Sequence, residues 1–321
     1  MTMEAILYRR RAATSTEQGV SSEQGFVLVA VLWLLAALAL LATIFSQYLA
    51  SSARVLALTD ATLQTESLVS AGVELAAYQL QLAGEKARPA QGAFHARLNG
   101  ADLEVSFVTE AARIDLNAAP KELLAGLLTV LGAGEDEAKQ GADRIVGWRT
   151  KPATDSASNE DALYRTAGRI YSPRLAPFVH VNELSLVLGL SPALVERAMP
   201  FVTIFSGVPG VDVVTAAPEV IAALPGMTPL TLRQFLNDRA TFGDNTNAIA
   251  AALGDAKASA VGQNSPAYRI QTRIRFADGR RAASEVVIAL RRKETPYRVL
   301  SWQNDAWQSS AATQRRGRPE L

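Results

Sequence analysis

The sequence predicts an α+β protein: a long amino-terminal helix, transmembrane in its first 20 residues, packs on a small antiparallel sheet that carries a large inserted all-α domain. Three observations carry this prediction. The stretch Phe26 to Phe45 holds no charge, and Thr43 is its one polar side chain. Two glycine turns, Asn99-Gly100 and Ala277-Asp278-Gly279, each sit between runs that read as strands. Between the hairpins, from about Arg113 to about Asp244, the pattern is helical.

The apolar stretch makes a helix of roughly 30 Å, the thickness of a bilayer's hydrocarbon core. A buried helix in a large globular core is the alternative reading, but uniform apolarity without a polar stripe is unusual there. The 321 residues suffice for two further domains. A net charge of +1 gives no whole-chain field for nucleic acid or acidic partners. With no cysteine in the chain, disulfides, thiolate zinc sites and a cysteine nucleophile are excluded.

Residues 1–25 form a polar leader with Arg9, Arg10 and Arg11 together, against the single Arg54 shortly after the span. The positive-inside rule then places the amino terminus in the cytoplasm and the bulk of the chain outside. A cleaved signal peptide, with Ser51-Ser52-Ala53 as its processing site, is the rival reading, but its apolar region would be shorter. Residues 26–84 read as one long helix. Leu49, Leu56 and Leu63 are seven apart, as are Leu68, Leu75 and Leu82, and no proline intervenes before Pro89. Such spacing puts each trio on one face, able to pack on a partner helix or on the chain's own globular part. A helix from Phe26 to Ala83 would be roughly 85 to 90 Å long.

Residues 85–112 hold the first part of the sheet, with Leu103, Val105 and Phe107 alternating with Glu104 and Ser106. Residues 113–244 form the inserted domain, read as two small helical bundles with a loop-like stretch, Lys151 to Pro177, between them. A weak internal repeat relates Asn117-Ala118-Ala119-Pro120 to Thr215-Ala216-Ala217-Pro218, with Asn or Thr as a helix cap and proline in the first turn. Ser191-Pro192 and Thr228-Pro229 are further starts of this kind. Residues 245–302 return to the sheet after a small, flexible stretch, Ala248 to Gln263. Arg269, Gln271, Arg273 and Arg275 alternate with Ile270, Thr272, Ile274 and Phe276, giving one wet and one dry face. Tyr297 to Trp302 adds a strand, and 303–321 is a polar tail. Strands before and after the insert lack a core separately, so they pair into one sheet on the outer part of the long helix.

The junction Gly25-Phe26 resembles the processing site of type IV prepilins and pseudopilins, whose peptidase cuts before the apolar stretch and leaves it in the mature chain. The order of helix, sheet, helical insert and sheet is similar to the K-type minor pseudopilin of the type II secretion system (general secretion pathway protein K). Its more specific segments here are Arg113-Ile114-Asp115-Leu116-Asn117, Ile145-Val146-Gly147-Trp148, Asn159-Glu160-Asp161-Ala162-Leu163-Tyr164, Pro177-Phe178 and Asn182-Glu183-Leu184-Ser185-Leu186-Val187-Leu188-Gly189. The resemblance implies a type IV pilin-like fold and a place at the pseudopilus tip with the I- and J-type minor pseudopilins. It also implies the major pseudopilin, the prepilin peptidase and the inner-membrane assembly platform as partners. Most pilins carry a glutamate at the fifth mature position, where this chain has Ala30. A subunit that enters first has no earlier subunit to dock under, so Ala30 marks a tip position.

No nucleophile elbow, H-E-x-x-H helix or phosphate loop is present, and Gly132-Ala133-Gly134 fails the dinucleotide pattern because Glu137 takes the place of the third glycine. His95 and His180 are isolated, so the chain reads as no enzyme. Asp155, Asn159, Glu160 and Asp161 form an oxygen-rich loop of the kind a calcium ion uses. The family resemblance implies calcium near this loop, yet Gly147 and Thr150 stand beside Trp148 where the family tends to have aspartate, and Lys151 adds a positive charge. The runner-up function is a membrane-anchored DNA receptor. Thr215 to Arg239, with Leu224-Pro225-Gly226-Met227 between helices, resembles a helix-hairpin-helix, although Thr228 replaces its second glycine and few lysines flank it.

Overall fold

In a computed structural model of the chain, residues 22–84, 87–151, 158–243, 245–260, 265–291 and 296–304 are described. A helix, α1, runs from Ser22 to Leu82. The chain divides into two units, Met1–Gln64 and Thr65–Leu321.

In the first unit the apolar run is exposed throughout, and Phe26–Leu49 has a mean hydropathy of 2.8. Thr43 is no obstacle to lipid, because its hydroxyl donates to the Ala39 carbonyl one turn back at 2.8 Å.

The second unit is built on a five-stranded antiparallel sheet of β1 (Gln91–Leu98), β2 (Ala101–Thr109), β5 (Ala267–Arg275), β6 (Arg281–Leu290) and β7 (Tyr297–Asn304), in that spatial order. Asn99, with φ 47°, and Gly100, with φ 75°, make the β1–β2 turn in the left-handed conformations that such a hairpin needs. The strands on either side of the insert pair directly, Thr109 opposite Tyr268 and Asp102 opposite Arg275. One sheet face packs Leu103, Val105, Ile270, Ile274, Val286 and Ile288 against Leu68, Val69, Val73, Ala76, Ala77 and Leu80 of α1. Gly72 sets the approach: a Cβ there would lie 3.0 Å from Thr272 Oγ1 and 3.2 Å from a Val105 methyl. The leucine trio behaves differently from its heptad reading. Leu68 is 5% exposed, Leu75 38% and Leu82 73%. A straight α-helix drifts by about 20° per heptad, so a strict seven-residue row leaves the buried face.

The insert between β2 and β5 contains helices α2 (Lys121–Val130), α3 (Glu135–Arg149), α4 (Ser158–Thr166), α5 (Pro192–Ala198), α6 (Pro218–Ala222), α7 (Pro229–Phe242) and α8 (Thr246–Leu253). It departs from the sequence reading in four ways. A parallel pairing of β3 (Ile114–Asp115) with β4 (Val202–Thr203) makes it not wholly helical. One continuous core, from Ile114 through Trp148 and Phe235 to Ala256, replaces two separate bundles. The stretch read as flexible after Asp244 forms α8, capped by Asn245, and its Leu253 is buried in that core. The insert therefore reaches Ala260, which bridges Val211, instead of ending at 244. Finally, the stretch 151–177 contains α4, anchored by the fully buried Tyr164. In the core Gly126 is obligatory, because a Cβ there would lie 2.1 Å from the Ala223 carbonyl oxygen where α2 crosses the end of α6.

Candidate functional site

The sequence segments that carry the family resemblance lie up to some seventy residues apart, yet they meet around Trp148. Its ring stacks on Phe178 at 6.1 Å and lies 6.0 Å from Tyr164. Its indole N–H donates to Glu183 Oε2 at 3.2 Å. Tyr164 in turn accepts the Leu188 amide at 2.9 Å, and burial pushes its phenol up to about 12. Asn117 Nδ2 donates to the Phe178 carbonyl at 3.0 Å, while the Phe178 amide donates to Asn117 Oδ1 at 2.7 Å. Asn117 is therefore no helix cap. Buried Asp115 opens that turn, accepting the Asn117 amide at 2.7 Å through Oδ1 and the Gly207 amide at 2.7 Å through Oδ2.

The weak repeat has a structural counterpart. Asp212, like Asp115, is buried and holds its own turn, accepting the Val214 amide at 3.1 Å. An arginine from the next long helix then clamps each turn. Arg149 of α3 donates to the Leu116 carbonyl at 2.5 Å and the Ala119 carbonyl at 2.6 Å, and Arg239 of α7 donates to the Ala216 carbonyl at 2.8 Å. Both clamps satisfy carbonyls just before a short helix, where the chain has no backbone partner. Sequence reasoning missed these arginines; the signal was their matching position near the end of the helix that follows each repeat.

A second cluster fastens the insert to the sheet. Glu110, buried at the end of β2, accepts from Arg269 Nε at 2.7 Å and from Nη2 at 3.2 Å. Arg269 also donates to Glu285, and Thr203 of β4 donates its hydroxyl to Glu110. Burial pushes the Glu285 carboxyl up, but the guanidiniums of Arg269 and Arg113 and the amide of Gln271 outweigh it and hold the group below the usual carboxylate range. Burial also lowers the Arg269 pKa, and the two carboxylates overcome that and raise it. On β5 the alternation holds, but the wet face is covered by the insert at Arg269, which is 11% exposed. A cleft of about 690 Å³ opens beside this cluster, with Arg269 and Gln271 on the sheet side and Arg113, Asn182 and Phe205 on the insert side.

The other predicted positions divide. Gly25 begins no new element, since α1 already runs through it, and Phe26 and Ala30 are exposed on that helix. His95 is an exposed residue of β1, and His180 Nδ1 accepts the Asn182 amide at 3.1 Å to start a 3-10 turn. Of the calcium-loop residues, Asp155 lies outside the described residues and Asn159 falls in α4. Glu160 Oε2 is taken by Arg144 Nη1 at 2.7 Å, and Asp161 is held by Ser172 and by Arg165 at 2.9 Å. Glu160 Oε1 is buried without a hydrogen-bond partner. Among the described residues no three His, Cys, Asp or Glu side chains converge on a metal position. Calcium asks for about six to eight oxygens. Among the described residues, the one open carboxylate oxygen beside a guanidinium does not fit it. In the helix-hairpin-helix stretch, a Cβ on Gly226 would lie 3.3 Å from the Asp255 Cβ, so an acidic residue packs beside the hairpin.

A helix long and apolar enough to cross a membrane, continuing onto an antiparallel sheet with a helical domain inserted between two paired strands, is a pilin-like architecture. Residues 96–207 match the family model of type II secretion system (T2SS), protein K, first domain. The fold is similar to a chain in the crystal structure of the GspK-GspI-GspJ complex from the enterotoxigenic Escherichia coli type 2 secretion system. That likeness has a TM-score of 0.55 and 15% identity, and covers 77% of this chain and 97% of that one. No curated protein matches the chain by sequence. About a third of the chain thus matches the protein K model, on a fold similar to one in that complex, and the resemblance to K-type minor pseudopilins drawn from its sequence is borne out.

Proposed function

We propose that this protein is the minor pseudopilin at the tip of a type II secretion pseudopilus, where it initiates assembly and supports protein export across the outer membrane. The observation that carries the reading is the insert between paired strands of a pilin-like sheet, the first part of which lies within the residues that match the protein K model. Bulk of that size on the globular end crowds a wound shaft and is free at its top. Ala30 supports the same place, because a glutamate in lipid is tolerable only with a partner charge, and the first subunit has no earlier one to dock under. The prepilin peptidase cuts after Gly25, and the apolar helix remains as a single-pass anchor in the inner membrane, with the amino terminus cytoplasmic and the rest periplasmic. Partners are subunits like those of the E. coli complex, the I and J types, then the major pseudopilin and the assembly platform.

Photocrosslinking in intact cells from Ile170, a fully exposed apolar residue of the insert, tests the placement. The expected products are with minor pseudopilins or an outer-membrane component. A ladder of products with the major pseudopilin, repeated along the shaft, refutes it.

A further inference from the structure

We infer that Arg144 does in this chain what a bound divalent cation would do at the same corner, clipping α4 onto α3 by a charge built into the protein. The two helices are joined through residues 150–157, and Glu160 in the first turn of α4 reaches back to α3. It lands on Gly147. A Cβ there would lie 2.7 Å from Glu160 Cδ, 2.8 Å from Oε2 and 3.0 Å from Oε1, so the missing side chain is the seat of the carboxylate. Arg144 is three residues earlier on α3, hence on the same face. Its Nη1 meets Oε2 at 2.7 Å, with the two side chains 23% and 19% exposed.

A carboxylate withdrawn this far from water needs a counter-charge. A metal ion or a guanidinium can supply one, and a cation bound to Oε1 would sit within a few ångströms of the Arg144 charge and be repelled by it. The guanidinium has the stronger claim. It is covalently fixed to α3, so it needs no ion from outside, and its planar fork of donors matches both oxygens of a carboxylate. Asp161, the neighbouring carboxylate, already pairs with Arg165 and Ser172. The order of this corner is therefore independent of calcium.

The test is hydrogen exchange of the 158–166 segment, followed by mass spectrometry on full-length protein in detergent, in chelator and in millimolar calcium. Elemental analysis after dialysis against calcium runs alongside, and exchange in β5 serves as an internal control for global unfolding. For the unaltered protein we expect the same protection of α4 in both conditions and no retained calcium. Arg144→Ala should speed α4 exchange roughly tenfold in both conditions while β5 stays protected. Arg144→Lys, which keeps a cation but not the fork, should restore most of the loss. The double variant Arg144→Ser, Gly147→Asp, which trades the guanidinium for a second carboxylate, should gain protection that only calcium supplies. Loss of α4 protection in chelator, stoichiometric calcium in the unaltered protein, or an Arg144→Ala variant with unchanged exchange would each overturn the inference.

Discussion

Asn117 and Phe178 exchange two hydrogen bonds across the insert, side-chain amide to carbonyl at 3.0 Å and backbone amide to side-chain oxygen at 2.7 Å. The asparagine acts here as a one-residue strand, giving the Phe178 backbone the donor and acceptor that a ladder neighbour would. Asn117→Ala should leave both backbone groups unpaired beside Trp148 and destabilise the insert by about 1 to 3 kcal/mol. Asn117→Asp, which keeps only the acceptor, should fall between the two. Denaturant titration of the full chain, read by exchange in the 177–189 segment, measures the order; an unchanged Asn117→Ala variant would refute the role.

The junction of insert and sheet should be sensitive to Glu110. Glu110→Ala removes the carboxylate shared by Arg269 and Thr203 and leaves a guanidinium that is 11% exposed with Glu285 as its remaining partner. Breaking a buried pair in this way costs about 3 to 5 kcal/mol. Thermal unfolding of the variant should show either a large drop in midpoint or separate transitions for sheet and insert.

The same cluster sets a pH dependence. The folded pKa of Glu285 is held below its ordinary value of 4.5, with Arg269, Arg113 and Gln271 facing it, so the folded state binds that proton less readily than the unfolded one. Its contribution is fully present above pH 4.5 and is lost as pH falls through the depressed folded value. Stability measured from neutral pH downward should decline in that acid range, and Glu285→Gln should flatten the decline. A variant with the original slope would assign the acid sensitivity elsewhere.

Gly126→Ala places a methyl 2.1 Å from the Ala223 carbonyl oxygen, a backbone atom that no side-chain rotation can move aside. The crossing of α2 over α6 must then open, at a cost of about 1 to 3 kcal/mol. Gly134→Ala is the control, since nothing lies within 4 Å of its added Cβ. Equal melting of the two variants would contradict the packing argument.

Legibility followed the range of the interactions. The span was visible because twenty residues share one property, and the hairpins because Asn99-Gly100 and Asp278-Gly279 set turn geometry locally. The α8 helix was not, since its Ala-rich sequence has few periodic large residues and is ordered by Leu253 entering a distant core. Asn117 looked like a helix cap from its neighbours alone; its partner, Phe178, is 61 positions away. Arg269 looked solvated because strand alternation says which face a side chain takes and not what covers that face. Glu160 was seen as an oxygen donor, and Gly147 as a departure from the family, but only the fold shows that one rests on the other.

The pairing of Thr109 with Tyr268 has a consequence for how the chain comes to be folded. Both ends of the insert leave the sheet on adjacent strands, so closing β2 onto β5 around an unfolded insert would mean ordering the ends of a very long loop, at roughly 4 to 5 kcal/mol of chain entropy. An insert that has already collapsed brings its own ends together and removes most of that penalty. The first hairpin, made early as the chain emerges, therefore waits with an open edge until the domain behind it has compacted. Pulse-labelling during refolding should find α2 and α3 protected before β5, and Gly126→Ala should delay both.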